Sequence, residues 1–464
     1  MSSVRHVSQD LLAKYATSAP RYTSYPTAVD WTGELEPTDY PDLLAASASR
    51  PDPLSVYVHV PFCAHMCLFC GCNVTISRSE DRATAYLDAL EQEFATIAKS
   101  GIGTRPVHQY HWGGGTPTQL NLKQIERLQG IFNDTFKLAA DAEVAIEVDP
   151  RVTSPAQIEL LARLGFNRVS MGVQDFDPKV QEHVARVQSE EDTRAIIQAA
   201  RESGMSSVNV DLMYGLPHQT RAGFEDTVER IVDVRPERVA LFHYAHVPWM
   251  KKHQTALDVD AMPSSEDKLA IFLRAIQQFE EAGYVYIGLD HFALPGDPLA
   301  QSLQNRELHR NFMGYTTHKG SEMISFGVSA IGEVGGAFVQ NNPVETDYKS
   351  LVTERGFATK RGHHLSADDR LRRDVILSLM CNGEINKGAI ETEHGIAFDE
   401  TFADALKALE PLAADELVRL DADALRLTSI GQLFMRNVAL VFDRYYAARQ
   451  ARGQDSKNTF SKTL

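Results

Sequence analysis

The chain has 464 residues, of which 43% are hydrophobic, which is enough for a large core with smaller additions. Acidic residues outnumber basic ones by 62 to 46, and the formal charge of −16 argues against nucleic acid or an anionic membrane surface as the main partner. No apolar run approaches the roughly 20 residues of a membrane span, and the first residues lack the apolar core of a signal peptide. The chain has five cysteines, four of them clustered, and this is not the pattern of a disulfide-stabilised protein of this length. The cysteine content therefore favours the reducing cytoplasm as the compartment.

Residues 1–50 are irregular and rich in proline, and we interpret them as an arm that crosses another part of the protein. Beyond them, short apolar runs alternate with amphipathic stretches, which implies parallel strands joined by right-handed crossovers. The predicted strands are 54–60, 108–114, 144–149, 168–174, 208–215 and 238–244, with 284–293 as a further candidate. The predicted helices are 81–99, 122–136, 155–164, 190–203, 223–234 and 265–282, and from about residue 365 onward the pattern is mostly helical.

Polar residues at the ends of the predicted strands bear on the architecture. Six βα units fit a partial or full barrel, and an open doubly wound sheet is the alternative. A barrel builds its site from the C-terminal ends of several strands, whereas an open sheet uses one switch point. The barrel is favoured because five residues lie at or near the C-terminal ends of different predicted strands: Gly113, Glu147, Gln174, Asp211 and Tyr244.

The stretch "PFCAHMCLFCGCN" (61–73) carries Cys63, Cys67, Cys70 and Cys72. Thiolates this close suit a soft metal, because a short loop brings them together at little entropic cost. Structural zinc is one alternative, but it usually takes two ligand pairs separated by a longer loop. A disulfide or a catalytic thiol pair leaves three spaced thiols unexplained.

The spacing C-x3-C-x2-C directly after a strand matches the signature of radical S-adenosylmethionine (SAM) enzymes. In these enzymes three cysteines bind three irons of a 4Fe–4S cluster, and the fourth iron binds SAM, which is cleaved to methionine and a deoxyadenosyl radical. The match makes Cys63, Cys67 and Cys70 the predicted ligands and leaves Cys72 unligated. Phe69 is expected to shield the cluster or to pack on a nucleobase, with ordinary loop packing as an equal alternative.

Further polar and glycine-rich segments fit such a site. "HWGGGTP" (111–117) lacks the Lys-Ser/Thr of a phosphate-binding loop, and its glycines allow the backbone to approach a ligand closely. Glu147, Gln174 and Asp211 interrupt apolar strands, either to contact a ligand or to form pairs inside the barrel. Arg186 is either a solvated helix residue or a clamp for a carboxylate.

With these motifs in view, the chain resembles the oxygen-independent coproporphyrinogen III oxidases over nearly its whole length. The segments that carry the resemblance include "PRYTSYPTA" (20–28), "YVHVPFC" (57–63), "CGCN" (70–73), "EVDPR" (147–151), "GLDHFA" (288–293), "LHRNFMGYTT" (308–317) and "RRDVILSLMCN" (372–382). The resemblance implies an α/β fold with a partial (β/α)6 barrel, one 4Fe–4S cluster and two SAM molecules. The predicted parts are an arm over the active site (1–50), the barrel core (51–300), a barrel-completing, substrate-side segment (301–364) and a helical C-terminal domain (365–464).

The resemblance also implies roles for individual residues. The expected contacts of the cluster-bound SAM are Tyr57, Gly114, Glu147 and Ile331. Those of the second SAM are Phe69, Gly115, Thr116, Gln174, Arg186, Asp211 and Ala245. Cys72 is expected beside the second SAM, and Tyr57 and Cys72 are the predicted catalytic residues. The segment "ARV" (185–187) and Gly383 depart from the family pattern, at the second SAM and in the C-terminal domain respectively.

The implied reaction converts two propionates of coproporphyrinogen III to vinyl groups, giving protoporphyrinogen IX in anaerobic haem biosynthesis. The expected partners are this substrate and an electron donor such as a flavodoxin or ferredoxin, with no nucleic acid or membrane, for a cytoplasmic monomer. Loose candidates for binding the propionates are Arg21, Arg306, His309 and Arg310. The alternative is a haem-binding chaperone of the same family, which typically has an aspartate–aromatic pair where this chain has Gly71 and Cys72 and which lacks the arm.

Overall fold

The computed structural model describes residues 7–31, 33, 39–453 and 460, so parts of the predicted arm and of the C-terminal end lie outside the described residues. The strands are β1 Leu54–Val60, β2 Phe62–Cys63, β3 Thr75–Ile76, β4 Pro106–Gly114, β5 Lys137–Val148, β6 Arg168–Gln174, β7 Ser207–Tyr214, β8 Arg238–His243, β9 Val285–Gly288, β10 His291–Ala293, β11 His309–Asn311, β12 Gly314–Thr316, β13 Glu322–Phe326, β14 Ile331–Val334, β15 Ala337–Asn341, β16 Thr359–His364, β17 Glu384–Asn386, β18 Val418–Leu420 and β19 Ala424–Leu427.

The helices follow the strands in the alternation that the sequence predicts. They are α1 Gln9–Tyr15, α2 Asp39–Ala48, α3 Glu80–Ala98, α4 Leu122–Thr135, α5 Pro155–Arg163, α6 Pro178–His183, α7 Glu190–Glu202, α8 Arg221–Val234, α9 Ser265–Glu281, α10 Pro298–Gln304, α11 Glu345–Arg355, α12 Ala367–Asn382, α13 Lys387–His394, α14 Phe398–Thr401, α15 Ala403–Ala414, α16 Met435–Leu440 and α17 Arg444–Ala451. Within the described residues, none of these helices has the length and apolarity to cross a bilayer.

One sheet of twelve strands organises the molecule, in the order β16-β15-β14-β13-β1-β4-β5-β6-β7-β8-β10-β9. The six strands β1 and β4 to β8 pair in parallel with one another, and β13 adds in parallel to the other side of β1. Antiparallel strands extend both sides, and the two outermost strands are not neighbours in the sheet. The prediction of a partial (β/α)6 barrel is confirmed.

The parallel strands form where the sequence is continuously apolar, because both of their faces are covered. In β1, "LSVYVHV", every residue except Tyr57 is buried. The helices begin at side-chain caps, which satisfy backbone N–H groups that no helical carbonyl can reach. Asn121 and Gln124 form a capping box at the start of α4, and Ser189 caps α7.

Several predicted elements differ from the observed ones. The run 284–293 does not extend the parallel series, because it forms two short strands that turn at Leu289 and pair antiparallel, with β10 on β8. Strand β5 begins at Lys137, well before the predicted residue 144, and α6 was not predicted. The predicted division at residue 300 falls inside α10.

The N-terminal arm lies against the C-terminal helices. The Tyr22 hydroxyl donates to Asp443 at 3.0 Å, and the Arg444 N–H donates to the Tyr25 hydroxyl at 3.1 Å. The C-terminal part is mostly helical, as the sequence predicts, and it also contains a three-stranded sheet in the order β17-β19-β18.

Candidate active site

The four clustered cysteines lie in the loop that leaves the C-terminal end of β1. Strands β2 and β3 close the base of the loop, with Cys63 opposite Ile76. The Cys70 N–H donates to the Cys67 carbonyl at 3.1 Å, which forms a tight turn. Cys67 is buried, Cys63 and Cys70 are half-buried, and Cys72 is exposed. All four line one cavity of about 160 Å³, which we call the cluster cavity.

The spacing of the thiols distinguishes the two metal groups considered above. A tetrahedral zinc–thiolate site places its sulfur atoms about 3.8 Å apart, because the Zn–S bond is about 2.3 Å long. Among the described residues, the one trio of potential ligand atoms within 4.8 Å of one another is Asp374, Glu393 and His394 in the C-terminal part. The three thiols therefore border one cavity without the close mutual spacing of a tetrahedral zinc site.

Two arginines donate to the middle cysteine of the triad. Arg151 Nη2 lies 3.3 Å and Arg186 Nη1 lies 3.4 Å from Cys67 Sγ. Asp149 orients both guanidinium groups, at 2.6 Å from Arg151 and 3.1 Å from Arg186. Hydrogen bonds to a cluster sulfur tune the reduction potential of an iron–sulfur cluster.

Three residues after β8 bind the backbone of the cysteine loop. Lys251 Nζ donates to the Cys72 carbonyl at 2.8 Å, His253 Nε2 donates to the Cys70 carbonyl at 2.8 Å, and Gln254 Nε2 donates to the Phe69 carbonyl at 3.0 Å. We call these three residues the loop clamp. The sequence analysis missed them, although the polar run "KKHQ" (251–254) after a barrel strand is a signal that could have found them.

A larger cavity of about 780 Å³, which we call the main cavity, opens beside the cysteine loop. All four residues expected at the cluster-bound SAM line this cavity: Tyr57, Gly114, Glu147 and Ile331. They come from β1, β4, β5 and β14, so the order of strands in the sheet brings them together. Cys72 also lines this cavity.

Hydrogen bonds fix Glu147 and Tyr57 in the wall of the main cavity. Glu147 accepts from His111 Nε2 at 3.3 Å and from the Gly114 N–H at 3.1 Å. Burial raises the pKa of Glu147, but these donors outweigh it and leave the pKa below its ordinary value. His59 Nε2 donates to the Asn73 carbonyl at 2.9 Å, so its Nδ1 accepts from the Tyr57 hydroxyl at 3.2 Å.

Most of the seven residues expected at the second SAM lie at the cluster cavity and not at the main cavity. Six of them line the cluster cavity: Phe69, Gly115, Thr116, Gln174, Arg186 and Asp211. Ala245 does not line it, and its carbonyl instead accepts a 3.4 Å hydrogen bond from Gln254 of the loop clamp. The two predicted sets thus border two adjoining cavities, which share Cys72, Gly114 and Glu147.

One polar side chain of the cluster cavity has a buried atom without a hydrogen-bond partner, and another is a carboxyl with a raised pKa. Gln174 has a left-handed backbone (φ 68°), and its buried Oε1 accepts no hydrogen bond. Burial and the nearby charge of Glu147 raise the pKa of Asp211 to about 7, although Asn209 donates to it at 2.8 Å. Unsatisfied buried groups are typical of sites that complete their hydrogen bonds with a ligand.

Comparison with known proteins agrees with this geometry. The Radical SAM superfamily profile matches residues 57–231, and the HemN C-terminal domain profile matches residues 365–434. The oxygen-independent coproporphyrinogen III oxidase of Salmonella typhimurium is 44% identical over 448 residues, 96% of this chain and 97% of the relative. That of Escherichia coli K12 is 43% identical over 458 residues, 98% and 99% of the two chains. The chain belongs to the oxygen-independent coproporphyrinogen III oxidase family.

A solved structure supports the same assignment. The structure titled "Coproporphyrinogen III oxidase (HemN) from Escherichia coli is a Radical SAM enzyme" is 42% identical, with a TM-score of 0.90 over 95% of this chain and 100% of that chain. Membership in this radical SAM family implies a 4Fe–4S cluster and SAM, which agrees with the three thiols around one cavity.

The four loose candidates for propionate binding lie outside both cavities. Arg21 pairs with Asp290, and Arg306 pairs with Glu384 at 2.7 Å. His309 and Arg310 line a separate cavity of about 170 Å³. The cations of the main cavity are instead Lys251, Lys360 and Arg361, none of which the sequence analysis proposed.

Proposed function

We propose that the chain converts coproporphyrinogen III to protoporphyrinogen IX by oxidative decarboxylation of two propionates. Each propionate loses one hydrogen atom, carbon dioxide and one electron as it becomes a vinyl group. When bound, the cluster and SAM supply the one-electron cleavage chemistry that removes the hydrogen atom. The observation that carries the proposal is the adjoining pair of cavities, one bordered by the three thiols and the other large enough for more than one small molecule.

For the main cavity, we propose that Tyr57, Gly114, Glu147 and Ile331 bind the cluster-bound SAM. Glu147 is suited to a SAM amino group or ribose hydroxyl, because its low pKa keeps it ionised at neutral pH. The Tyr57 hydroxyl is oriented by His59, which supports a role in positioning the reacting groups.

For the cluster cavity, we propose a second SAM bound by Phe69, Gly115, Thr116, Gln174, Arg186, Asp211 and the neighbouring Ala245. The free Gln174 Oε1 and the poorly satisfied Asp211 support this proposal. At about 160 Å³ the cavity is below the roughly 300 Å³ of a small-molecule site, so binding requires side chains such as Arg186 to move. Equilibrium dialysis of the holoenzyme with labelled SAM tests the stoichiometry, and a ratio of one would refute the second site.

Cys72 is proposed as a catalytic residue and not as a ligand. Its thiol lies between the two cavities and borders both. Its backbone N–H donates to Cys70 Sγ at 3.4 Å, and hydrogen bonding from Cys72 is the main cause that lowers the pKa of Cys70 to about 6. An exposed thiol on this wall can exchange a proton with a bound substrate.

We further propose a cytoplasmic monomer that receives electrons from a carrier such as a flavodoxin or ferredoxin. The residues of both cavities come from one chain, so a second copy is not needed to complete the site. Light scattering of the eluting protein tests the monomer. Anaerobic turnover with each reduced carrier in place of a chemical reductant tests the donor.

The function is tested by an anaerobic assay of the reconstituted protein with coproporphyrinogen III, SAM and a reductant. The expected result is a divinyl product together with methionine and 5′-deoxyadenosine. Iron and sulfide are measured on the same preparation. A protein that contains the cluster and cleaves SAM, yet forms no vinyl product, would refute the proposed reaction.

A further inference from the structure

The main cavity concentrates positive charge in a protein that is strongly acidic overall. Lys251, Lys360 and Arg361 line it, whereas Glu147 is the one carboxylate among the described residues of its wall. The formal charge of the whole chain is −16. A wall with an excess of cations attracts anions and raises their local concentration.

In the part of the chain that the structure describes, none of these three cations has a carboxylate partner. Among the described residues, no carboxylate oxygen lies within 4.0 Å of the charged nitrogens of Lys251, Lys360 or Arg361. Glu147, on the same wall, pairs with His111 instead. The cations therefore remain available to an anionic ligand.

Arg361 is held in place although it lacks a counterion. Its Nε donates to Gln340 Oε1 at 2.7 Å, and its Nη1 donates to the Ala28 carbonyl of the N-terminal arm at 3.1 Å. The guanidinium lies 5.4 Å from the centre of the Trp31 ring. These contacts leave Nη2 without a hydrogen-bond partner in the described part of the chain, in a half-buried group whose pKa burial lowers. A preorganised arginine of this kind is suited to binding a carboxylate.

The two lysines approach the cavity from different parts of the chain. Lys360 precedes Arg361 on β16 and is exposed at the cavity wall. Lys251 belongs to the loop clamp and uses one of its three N–H donors on the Cys72 carbonyl. The cations thus lie both on the edge of the sheet and next to the cysteine loop.

We propose that Arg361, Lys360 and Lys251 bind the propionate carboxylates of the tetrapyrrole, an inference that rests on the proposed function. A ligand with four carboxylates needs several counterions. Its apolar ring can pack on Phe312, Met313 and Ile331, which line the same cavity. Cations on different segments hold separate propionates, so that one propionate is directed towards the reacting centre. The carboxylate of SAM is the other anion that could occupy these cations, and the test below separates the two.

The test uses the anaerobically reconstituted holoenzyme and four variants: Lys360→Met, Arg361→Met, Arg361→Lys and the control Arg419→Met, an exposed arginine on β18. Fluorescence quenching measures the binding of coproporphyrin III, which has four carboxylates, and of its uncharged tetramethyl ester. Loss of a charge-assisted hydrogen bond weakens binding by about tenfold or more. We expect this loss for coproporphyrin III with Lys360→Met and Arg361→Met, a smaller loss with Arg361→Lys, and no change for the ester or for Arg419→Met.

Cleavage of SAM in the absence of porphyrin identifies the source of the carboxylate. We expect the rate of 5′-deoxyadenosine formation to be unchanged in the variants while the KM for coproporphyrinogen III rises. Slower SAM cleavage with unchanged porphyrin affinity would assign the cations to SAM and overturn the inference. If Arg361→Met does not fold, Lys360→Met and Arg361→Lys decide the question. If the variants bind coproporphyrin III as tightly as the wild type does, and the wild type forms vinyl product, this inference alone is overturned. If the wild type forms no vinyl product, the proposed function is overturned.

Discussion

Gly115 lies at the point where the chain leaves β4 beneath the cysteine loop, and replacing it with alanine tests the loop geometry directly. An added Cβ would lie 2.6 Å from the Pro61 carbonyl oxygen and 2.7 Å from that of Phe62. The closer contact is about 0.8 Å short of ordinary van der Waals distance. Both atoms belong to the backbone that leads into Cys63, so no side-chain rotation can relieve the overlap.

The cost follows from what must move. The Gly115 N–H donates to Val60 and the Thr116 N–H donates to Phe62, each at 2.8 Å, and separating these segments weakens both bonds. Two such bonds contribute about 1–3 kcal/mol together, and overpacking adds about 1–3 kcal/mol. We expect Gly115→Ala to lower the free energy of unfolding by about 2–6 kcal/mol. A shift of about 1 Å in the loop lowers the rate of SAM cleavage by about 100-fold.

The measurements are urea unfolding, iron content per chain and the rate of 5′-deoxyadenosine formation, all under anaerobic conditions. Gly130→Ala is the matched control, because Gly130 lies inside α4 and an added Cβ meets nothing within 4 Å. Alanine there stabilises the helix by about 0.5–1 kcal/mol. If Gly115→Ala had the stability, iron content and rate of SAM cleavage of the wild type, the reasoning would be refuted. Close backbone contact at Gly115 would then not determine the conformation of the cysteine loop.

Three further predictions concern the ligands, a buried carboxyl and the loop clamp. Cys72→Ser is expected to retain iron and sulfide, whereas we expect the cluster to be lost when serine replaces any of the three predicted ligands Cys63, Cys67 and Cys70. Burial raises the pKa of Glu93 from 4.5 to about 7, so its protonated form stabilises the fold at low pH and this contribution is lost as pH rises from about 4.5 through 7. Between pH 4.5 and 7, the free energy of unfolding of the wild type, measured with urea, should therefore fall by about 3 kcal/mol relative to that of Glu93→Gln. Gln254→Ala leaves the Phe69 carbonyl and the Val247 N–H without their partner, which should cost about 2–4 kcal/mol and hasten iron loss to a chelator.

Each of these predictions has an outcome that contradicts it. Iron loss in Cys72→Ser would make this cysteine a ligand. If the difference in free energy of unfolding between the wild type and Glu93→Gln did not change with pH, the pKa of Glu93 would not be raised by folding. The control is Gln277→Ala, which removes a solvent-exposed hydrogen bond on α9. Equal rates of iron release from Gln254→Ala and from this control would show that the clamp does not hold the loop.

The parallel half of the barrel could be predicted from the sequence because its strands are continuous apolar runs. Glu147 and Gln174 lie at the C-terminal ends of β5 and β6, and Asp211 lies in the C-terminal half of β7. Because parallel strands bring their C-terminal ends to one rim, the convergence of these residues on the site followed from topology. The run 284–293 has the same composition but turns back at Leu289, and its reversal depends on pairing with β8. Local composition does not distinguish a parallel from an antiparallel neighbour.

The remaining parts of the site depend on contacts between distant segments. Lys360 and Arg361 reach the main cavity because β13 pairs with β1 and carries β14, β15 and β16 along that side of the sheet. No local pattern encodes this order of strands. The loop clamp lies in an irregular segment without periodicity, and its contact with the carbonyls of the cysteine loop is visible only in three dimensions.

The shared wall of the two cavities has an electrostatic consequence. Glu147 borders both cavities, and its negative charge is one cause of the raised pKa of Asp211. A cationic group bound at Glu147 would offset that charge and lower the Asp211 pKa, so that Asp211 is ionised at neutral pH. An ionised Asp211 binds a second cationic ligand more strongly than a protonated one. Because coupling between two binding sites is reciprocal, each ligand should then strengthen the binding of the other.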